Sequence, residues 1–399
     1  MKILQVSHRV PYPLNEGGTI GIYNYTRGFA DAGHEVTLLA LNGIKHKINT
    51  EEALNELRKF GRTFIFDIDT NIKIVPAFLN LFTKKSYNVS RFYNTGFKNF
   101  LVNLLSTETF DVIQVEGTFV AEYYDEIRKH SKALIVLRQH NVEFQIWERL
   151  AENEANPVKK WYLNLLSKRL KNFEQSIINL FDAVIPVTQD DAELFIKLGC
   201  TKPIFVSPSG IDTNYWKPTP QLEDLFKIYH LGSLEWLPNR EAVLWFIKDV
   251  WPLIIKIDKR FTLYIAGKNM PDFMKKMEIE NVKMIGEVKD GADFIKDKMI
   301  TVVPLLSGSG IRLKILEAMS AAKLVVSTSI GAQGISYTKN ENILIADTPQ
   351  DFETIFIKII KNVEEIEKIK NKGYLLIQKK YSNEAVVGKL LAYYSKFGD

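Results

Sequence analysis

A single cysteine, Cys200, stands among 399 residues, so no disulfide framework can form within the chain and a reducing compartment is expected. Long apolar runs are missing too. Nowhere do about eighteen uninterrupted apolar residues occur, which excludes an ordinary membrane-spanning helix. The opening MKILQVSHRV reads as a strand rather than a charged-then-apolar leader. Charge of one sign is scarce: a formal net charge of +5 is modest for this length. No RNA-binding signature, zinc-finger spacing or helix-turn-helix pattern accompanies it, so nucleic acid is not an expected partner. These absences together predict a cytoplasmic protein, at most peripheral at the inner face of a membrane.

What is present is ordinary globular material, 46% hydrophobic and 25% charged. The length exceeds what one core usually supports, so two domains are the default. Short β-type runs alternate with helical patterns, the mark of parallel α/β architecture. KILQVS (2–7), EVTLLAL (35–41), FDVIQVE (110–116), ALIVLRQ (133–139), AVIPVT (183–188) and PIFVSP (203–208) form a first set. Between the first two of these, a helix should stop at a glycine C-cap, Gly33. After the proline-bearing SPSGIDTNYWKPTP (207–220) comes a second set: KIYHLGS (227–233), FTLYIAG (261–267), VKMIGEV (282–288), MITVVPL (299–305), KLVVST (323–328) and NILIA (342–346). The fold class is α/β, with two doubly wound Rossmann-like domains expected to face each other across a cleft. Domains are expected at 1–207 and 208–378, with 379–399 a C-terminal helix packing back on the first. Ligands of such sheets bind beyond the carboxyl ends of the strands.

The most informative segment is VVPLLSGSGIRLKILEAMSAAKLVVST (302–328). A strand runs into a Ser/Gly loop, and a helix is predicted to begin near Gly310. Free N–H groups in its first turn, with the helix dipole, attract an anion, and a diphosphate is the usual guest. Gly310, Lys314 and Glu317 fall at helical spacings of four and three and would share one stripe. Lys314 would sit by the phosphates and Glu317 a turn further on, within reach of ribose hydroxyls. Arg312, about 200° round the helix from Lys314, reaches the same ligand only by lying at the helix start and bending back. The same pattern also fits a solvent-facing Lys–Glu pair on a capped helix.

Five segments then occur in one order: PYPLNEGG, RQHNVE (138–143), VSPSGIDTNYWKP (206–218), HLGSLEWLPNREAV (230–243) and SGSGIRLKILEAM (307–319). In this register the chain resembles the retaining family 4 glycosyltransferases of GT-B fold, on the branch of polysaccharide and glycolipid assembly. The resemblance implies hexose transfer from a nucleotide-diphosphate sugar to a saccharide or lipid-linked acceptor, without cofactor or metal. It makes the first domain the acceptor side and the second the nucleotide-sugar side. Gly17 and Gly18 would lie in a loop over the donor, and His140 at a strand end facing the transferred sugar. Gly232 and Ser233 would start the first loop of the second domain, near the phosphates. Val288 would lie near the nucleobase, Ser309, Gly310 and Ile311 along the donor, and Glu317 at the ribose. Arg312 and Lys314 would neutralise the phosphates.

Two departures stand out. The family's first glutamate of a pair would fall at position 309, where this chain has Ser309. The Lys that often follows the first loop of the second domain is missing, the matching stretch holding Asn239 and Arg240. Arg312 and Lys314 are the candidates to supply that charge.

Weaker signals remain. His8 is a second candidate for the cleft. Asp67 and Asp69 in FDIDT have a metal-type carboxylate spacing, but fit a polar strand end better. From Lys73 to Leu105 there is no acidic residue. There Lys73, Lys84, Lys85, Arg91 and Lys98 interleave with Phe78, Phe82, Tyr87, Phe92, Tyr93, Phe97 and Phe100, either resting on anionic lipid or burying aromatics against the domain. A dinucleotide oxidoreductase should show G-x-G-x-x-G after its first strand, and HRVPYPLNEGG does not fit. A nucleotide-sugar epimerase and an inactive sugar-nucleotide-binding protein stay as alternatives.

Overall fold

The strand β1 (Lys2–Ser7) is covered on both faces: Ile3, Leu4 and Val6 are all fully buried. A strand reads as a continuous apolar run when helices pack on either side of a parallel sheet. The computed structural model describes residues 1–14, 17–44, 48–308 and 310–397. The chain divides into two compact units, Met1–Gly210 with Val386–Asp399, and Ile211–Ala385.

In unit 1, β1 is joined by β2 (Glu35–Gly43), β3 (Arg62–Ile68), β4 (Val112–Glu116), β5 (Leu134–Gln139) and β6 (Ala183–Pro186). The order is β3-β2-β1-β4-β5-β6, with every pairing parallel. Unit 2 holds β7 (Asp224–Leu231), β8 (Thr262–Ala266), β9 (Val282–Gly286), β10 (Lys298–Val303), β11 (Leu324–Ser327) and β12 (Leu344–Ile345). Their order is β12-β11-β10-β7-β8-β9, again all parallel. Each sheet reverses its winding once, at β1/β4 and at β7/β10. Those two crevices are where a doubly wound sheet binds its ligand.

One expectation changes. The run 203–208 is no full strand: it bridges Val184 to Ile204, with Phe205 and Ser207 donating to the Val184 and Pro186 carbonyls, and Pro203 has no N–H to extend the pairing. FDIDT is the polar strand end expected of it: it closes β3, whose last residue is Ile68. Within unit 2 the bulky 240–255 run is helical, interrupted by a five-residue π turn, Phe246–Val250, before Pro252, which has no N–H for the regular pattern.

The last helix, Asn383–Ser395, sends Val386, Leu390 and Tyr394 into the core of unit 1 beside Ile3, Tyr25 and Val112. Its Tyr394 hydroxyl donates to Gln114 Oε1 at 2.6 Å. No helix among the described residues is long and apolar enough to cross a membrane.

Candidate functional site

In unit 1 the crevice at β1/β4 is built around a buried carboxylate. Glu116, the last residue of β4, and Arg138, on β5, have 0% of their side chains exposed. Arg138 Nη1 donates to Glu116 Oε2 at 3.1 Å, and His140 Nε2 lies 2.9 Å from the same oxygen. Gln5 and Gln114 donate to Oε1. Burial alone would raise this carboxyl, but Arg138, His140 and Gln114 hold it down to about 2. An ionised carboxylate only accepts, so His140 Nε2 carries the hydrogen and the ring is fixed in orientation. Burial, then the Arg138 charge, lowers the His140 pKa, keeping the imidazole neutral near pH 7. Arg138 also lies over the Tyr25 ring, 4.1 Å from its centroid.

His8 follows β1 and sits 6.3 Å from His140, ring centre to ring centre. Its Nδ1 donates to the Glu116 carbonyl at 2.8 Å, leaving Nε2 to accept from Arg9 Nε at 3.0 Å. Burial and then Arg9 push its pKa well below the usual value. Gly17 and Gly18 open the Gly17–Asp31 helix, which ends just before Gly33. A Cβ on Gly18 would lie 3.3 Å from Arg9 Nη1, so Arg9 links this glycine turn to His8 and thence to His140.

The loop carrying His140 is held from behind. Glu174 accepts from the backbone N–H groups of Glu143 and Phe144, both at 3.1 Å, and from Thr118 Oγ1 at 2.8 Å. It thereby caps the Glu143–Glu152 helix, which has no cap of its own. Burial raises Glu174 to about 7 and Glu143 to about 6.

In unit 2 the loop after β7 meets the helix after β10. Gly267 packs directly on the Gly232 carbonyl, where a Cβ would overlap it, and a Cβ on Gly232 would strike Lys314 Nζ. Lys314 Nζ donates to Asn239 Oδ1 at 2.8 Å, and Asn239 Nδ2 donates to the Ser233 carbonyl at 2.8 Å. His230 Nδ1 donates to the Val302 carbonyl at 2.9 Å, so its Nε2 accepts from Lys314 Nζ at 3.4 Å. Gly232, Ser233 and Lys314 therefore converge on one point.

The helix begins at Leu313, not near Gly310. Gly308 and Gly310 have φ of 116° and 81°, a left-handed backbone that no α-helix contains. Gly310 is thus outside the stripe, while Lys314 and Glu317 remain on one face. Arg312 is the residue before the helix; its guanidinium doubles back to the Gly310 carbonyl and lies 5.5 Å from the Trp236 ring centre. Burial lowers Lys314 to about 7 and raises Glu317 to about 7, each charge partly opposing the shift of the other. Ile311 packs on the core containing Leu305 and Ile315. Val288 lies past the end of the edge strand β9, two strands from β7. Ser309 falls outside the described residues.

Asp67 accepts from Asn42 Nδ2 at 2.8 Å and Asp69 pairs with Lys73 at 2.9 Å. Among the described residues no three His, Cys, Asp or Glu side chains cluster as a metal site requires. Sequence reasoning passed over Glu116, Arg138 and His230. The usable signal was a polar residue inside a fully buried strand, as in FDVIQVE and ALIVLRQ, because such a group must find a partner.

Two family models match the chain: Glycosyltransferase Family 4 over residues 16–215, and Glycosyl transferases group 1 over residues 226–362. The chain belongs to glycosyltransferase family 4, and it is a glycosyltransferase of GT-B type. It is 24% identical to an uncharacterised 44.6 kDa protein in the cps region of Klebsiella pneumoniae, across 98% of each chain. Among solved structures, Anabaena HepE in complex with UDP is similar with a TM-score of 0.70 and 14% identity, covering 99% of this chain and 100% of that one. Sucrose-phosphate synthase from Thermosynechococcus elongatus is similar with a TM-score of 0.68 and 14% identity, covering 100% and 99%.

Proposed function

We propose that this chain transfers a hexose-type sugar, with retention of configuration, from a nucleotide-diphosphate sugar to a saccharide or lipid-linked acceptor. The observation that carries the reading is the meeting of Gly232, Ser233 and Lys314 at the β7/β10 switch point, with Lys314 Nζ bound to Asn239 and His230. A half-buried ammonium whose two hydrogen-bond partners are neutral, with the Glu317 carboxyl a turn further on, is poised for an anion. Binding of UDP in HepE accords with a diphosphate as that anion. Negative charge builds on the leaving phosphate during transfer. Donors fixed beforehand, here Lys314, Arg312 and the first N–H groups of the Leu313–Ser320 helix, stabilise it most where they meet no reorganisation.

Glu317 takes the ribose, Val288 the base, and His140 the transferred sugar. Retention by same-face attack, with the leaving phosphate as base, fits unit 1. Its buried carboxylate, Glu116, already accepts from Arg138, His140, Gln5 and Gln114 and has no lone pair left for a covalent role.

Peripheral contact with anionic membrane completes the reading. Tyr87 and Phe97 are buried, but Phe78 and Phe82 are 58% and 78% exposed. Val75, Phe78, Leu79 and Phe82, spaced i, i+3, i+4 and i+7, form an apolar stripe directed to solvent beside exposed Lys84 and Lys85.

The test is release of free nucleotide from UDP- and GDP-sugars with and without candidate acceptors. Acceptor-dependent release supports transfer. Interconversion of the donor sugar without release would establish an epimerase instead, and donor binding without turnover an inactive binding protein.

A further inference from the structure

A cavity of about 520 Å³ opens in unit 1 beyond the carboxyl ends of β1, β2 and β3. Its wall includes His8, Arg9, Asn42, Thr70, Arg91 and Phe92. Asn42 is committed to Asp67, and His8 to Glu116 and Arg9. Glu52 stands at the edge, accepting from the Tyr12 hydroxyl at 3.2 Å.

Arg91 lacks the carboxylate partner that several arginines of this unit have. Arg27, Arg62, Arg128 and Arg138 each lie against a carboxylate. The Arg91 guanidinium has a single long hydrogen bond, Nη1 to the Thr70 carbonyl at 3.4 Å, and its Nε is buried without a partner. It lies 5.4 Å from the centroid of Phe92, whose ring stacks on Phe119 at 4.8 Å. Burial pulls its pKa down, and no carboxylate opposes that shift. A guanidinium taken out of water without a counter-charge costs free energy that an oxyanion returns, and its planar fork suits two oxygens at once.

The placement of Arg91 adds a second constraint. It caps the short Tyr87–Ser90 helix, and the Tyr87 hydroxyl accepts from the Lys73 N–H at 3.0 Å, just before the Ile74–Asn80 helix. Arg169 donates to Asn80 and Leu81 and fastens the far end of that helix. The solvent-directed apolar stripe is therefore held one short helix away from the cation.

The geometry points to an acceptor that carries an oxyanion, a phosphate or a carboxylate, seated on Arg91 in this cavity. This rests on the transferase reading and adds the acceptor's chemistry to it. A lipid-linked phosphate and an acidic sugar share that chemistry.

Titration calorimetry on the full chain separates them, with decyl phosphate below its micellar concentration, glucuronate and neutral methyl glucoside as probes. Either anion should bind more tightly than methyl glucoside, and Arg91→Gln should weaken it roughly ten- to hundred-fold. Arg91→Lys, which keeps the charge but not the fork, should recover part of the loss. Tighter binding of decyl phosphate assigns a lipid-linked phosphate, and tighter binding of glucuronate an acidic sugar. Equal binding of methyl glucoside to the wild type, no binding of either anion, or a folded Arg91→Gln protein with unchanged affinity overturns the inference. UDP and GDP titrated in parallel report on the donor side alone, so a failed acceptor assignment leaves the transferase reading to its own test.

Discussion

Replacing Glu116 with Gln removes one charge from the interior of unit 1 and leaves Arg138 behind. Both side chains are 0% exposed and 3.1 Å apart. At that distance the attraction is roughly 5 kcal/mol for an effective dielectric near 20. Breaking one partner of a buried pair typically costs about 3–5 kcal/mol, because the surviving charge stays desolvated. Gln makes matters worse locally. Four donors converge on the carboxylate, from Gln5, Gln114, Arg138 and His140, and an amide offers one oxygen and turns its NH2 toward the rest.

For a unit of this size each kcal/mol lowers Tm by about 2–4 °C, so the transition of unit 1 should fall by roughly 6–20 °C in scanning calorimetry. Adding Arg138→Met removes the orphaned charge and should recover at least half of the loss. The pH dependence has a definite sign. The folded pKa of Glu116 is depressed to about 2 from an ordinary 4.5, so its stabilisation is complete above 4.5 and drains as pH falls toward 2. The gap between wild type and Glu116→Gln should narrow over that window. A shift under about 3 °C at pH 7, or a double variant no more stable than the single, would refute the reasoning.

Lys314→Met should weaken nucleotide-diphosphate binding about ten- to hundred-fold by calorimetry. In the wild type, affinity should fall as pH rises through 7 to 8, since burial places the Lys314 pKa at about 7 and only the ammonium binds phosphate. Gly267→Ala puts a methyl group onto the Gly232 carbonyl; a loss of about 3 kcal/mol in unit 2 is expected by thermal denaturation. Phe78→Asp with Phe82→Asp should abolish flotation with anionic vesicles while changing stability by less than about 0.5 kcal/mol, because both rings are mostly exposed.

The strands were legible where burial on both faces wrote itself as an apolar run, as in KILQVS and EVTLLAL. They were less legible where proline or polar residues entered: 203–208 makes only a short bridge to β6, and of β3, with its Arg62 and Asp67, only the polar end at FDIDT stood out. Helical spacing correctly put Lys314 and Glu317 on one face, yet it extended the stripe to Gly310. Spacing carries no information about φ, and the 308–310 backbone turns left-handed before any helix starts. His140 was legible through a motif, whereas the carboxylate that orients it lies 24 residues upstream on another strand. That kind of partnership is made by sheet order, β4 beside β5, and no local pattern records it.

The two switch points deal with buried charge in opposite ways, and the difference bears on function. At β1/β4 the carboxylate is closed: Glu116 has Arg138, His140 and two amides, although Arg138 Nε and Nη2 stay buried without a hydrogen-bond partner. Such a network rigidifies what it holds, and what it holds is the ring of His140. At β7/β10 the charge is open. Lys314 rests on Asn239 and His230, neutral acceptors both, and burial has pulled its pKa down to about 7. Where the resemblance would put a Lys after the first loop, this chain has Asn239 and Arg240, and the Asn239 amide oxygen receives the Lys314 ammonium while its NH2 donates to the Ser233 carbonyl of that loop. A diphosphate arriving there would add counter-charge to what Glu317 supplies and raise the Lys314 pKa, so part of the binding free energy would come from relieving a desolvation already present in the empty fold. Proton uptake on nucleotide binding, measured in buffers of different ionisation enthalpy, is the direct consequence of that arrangement.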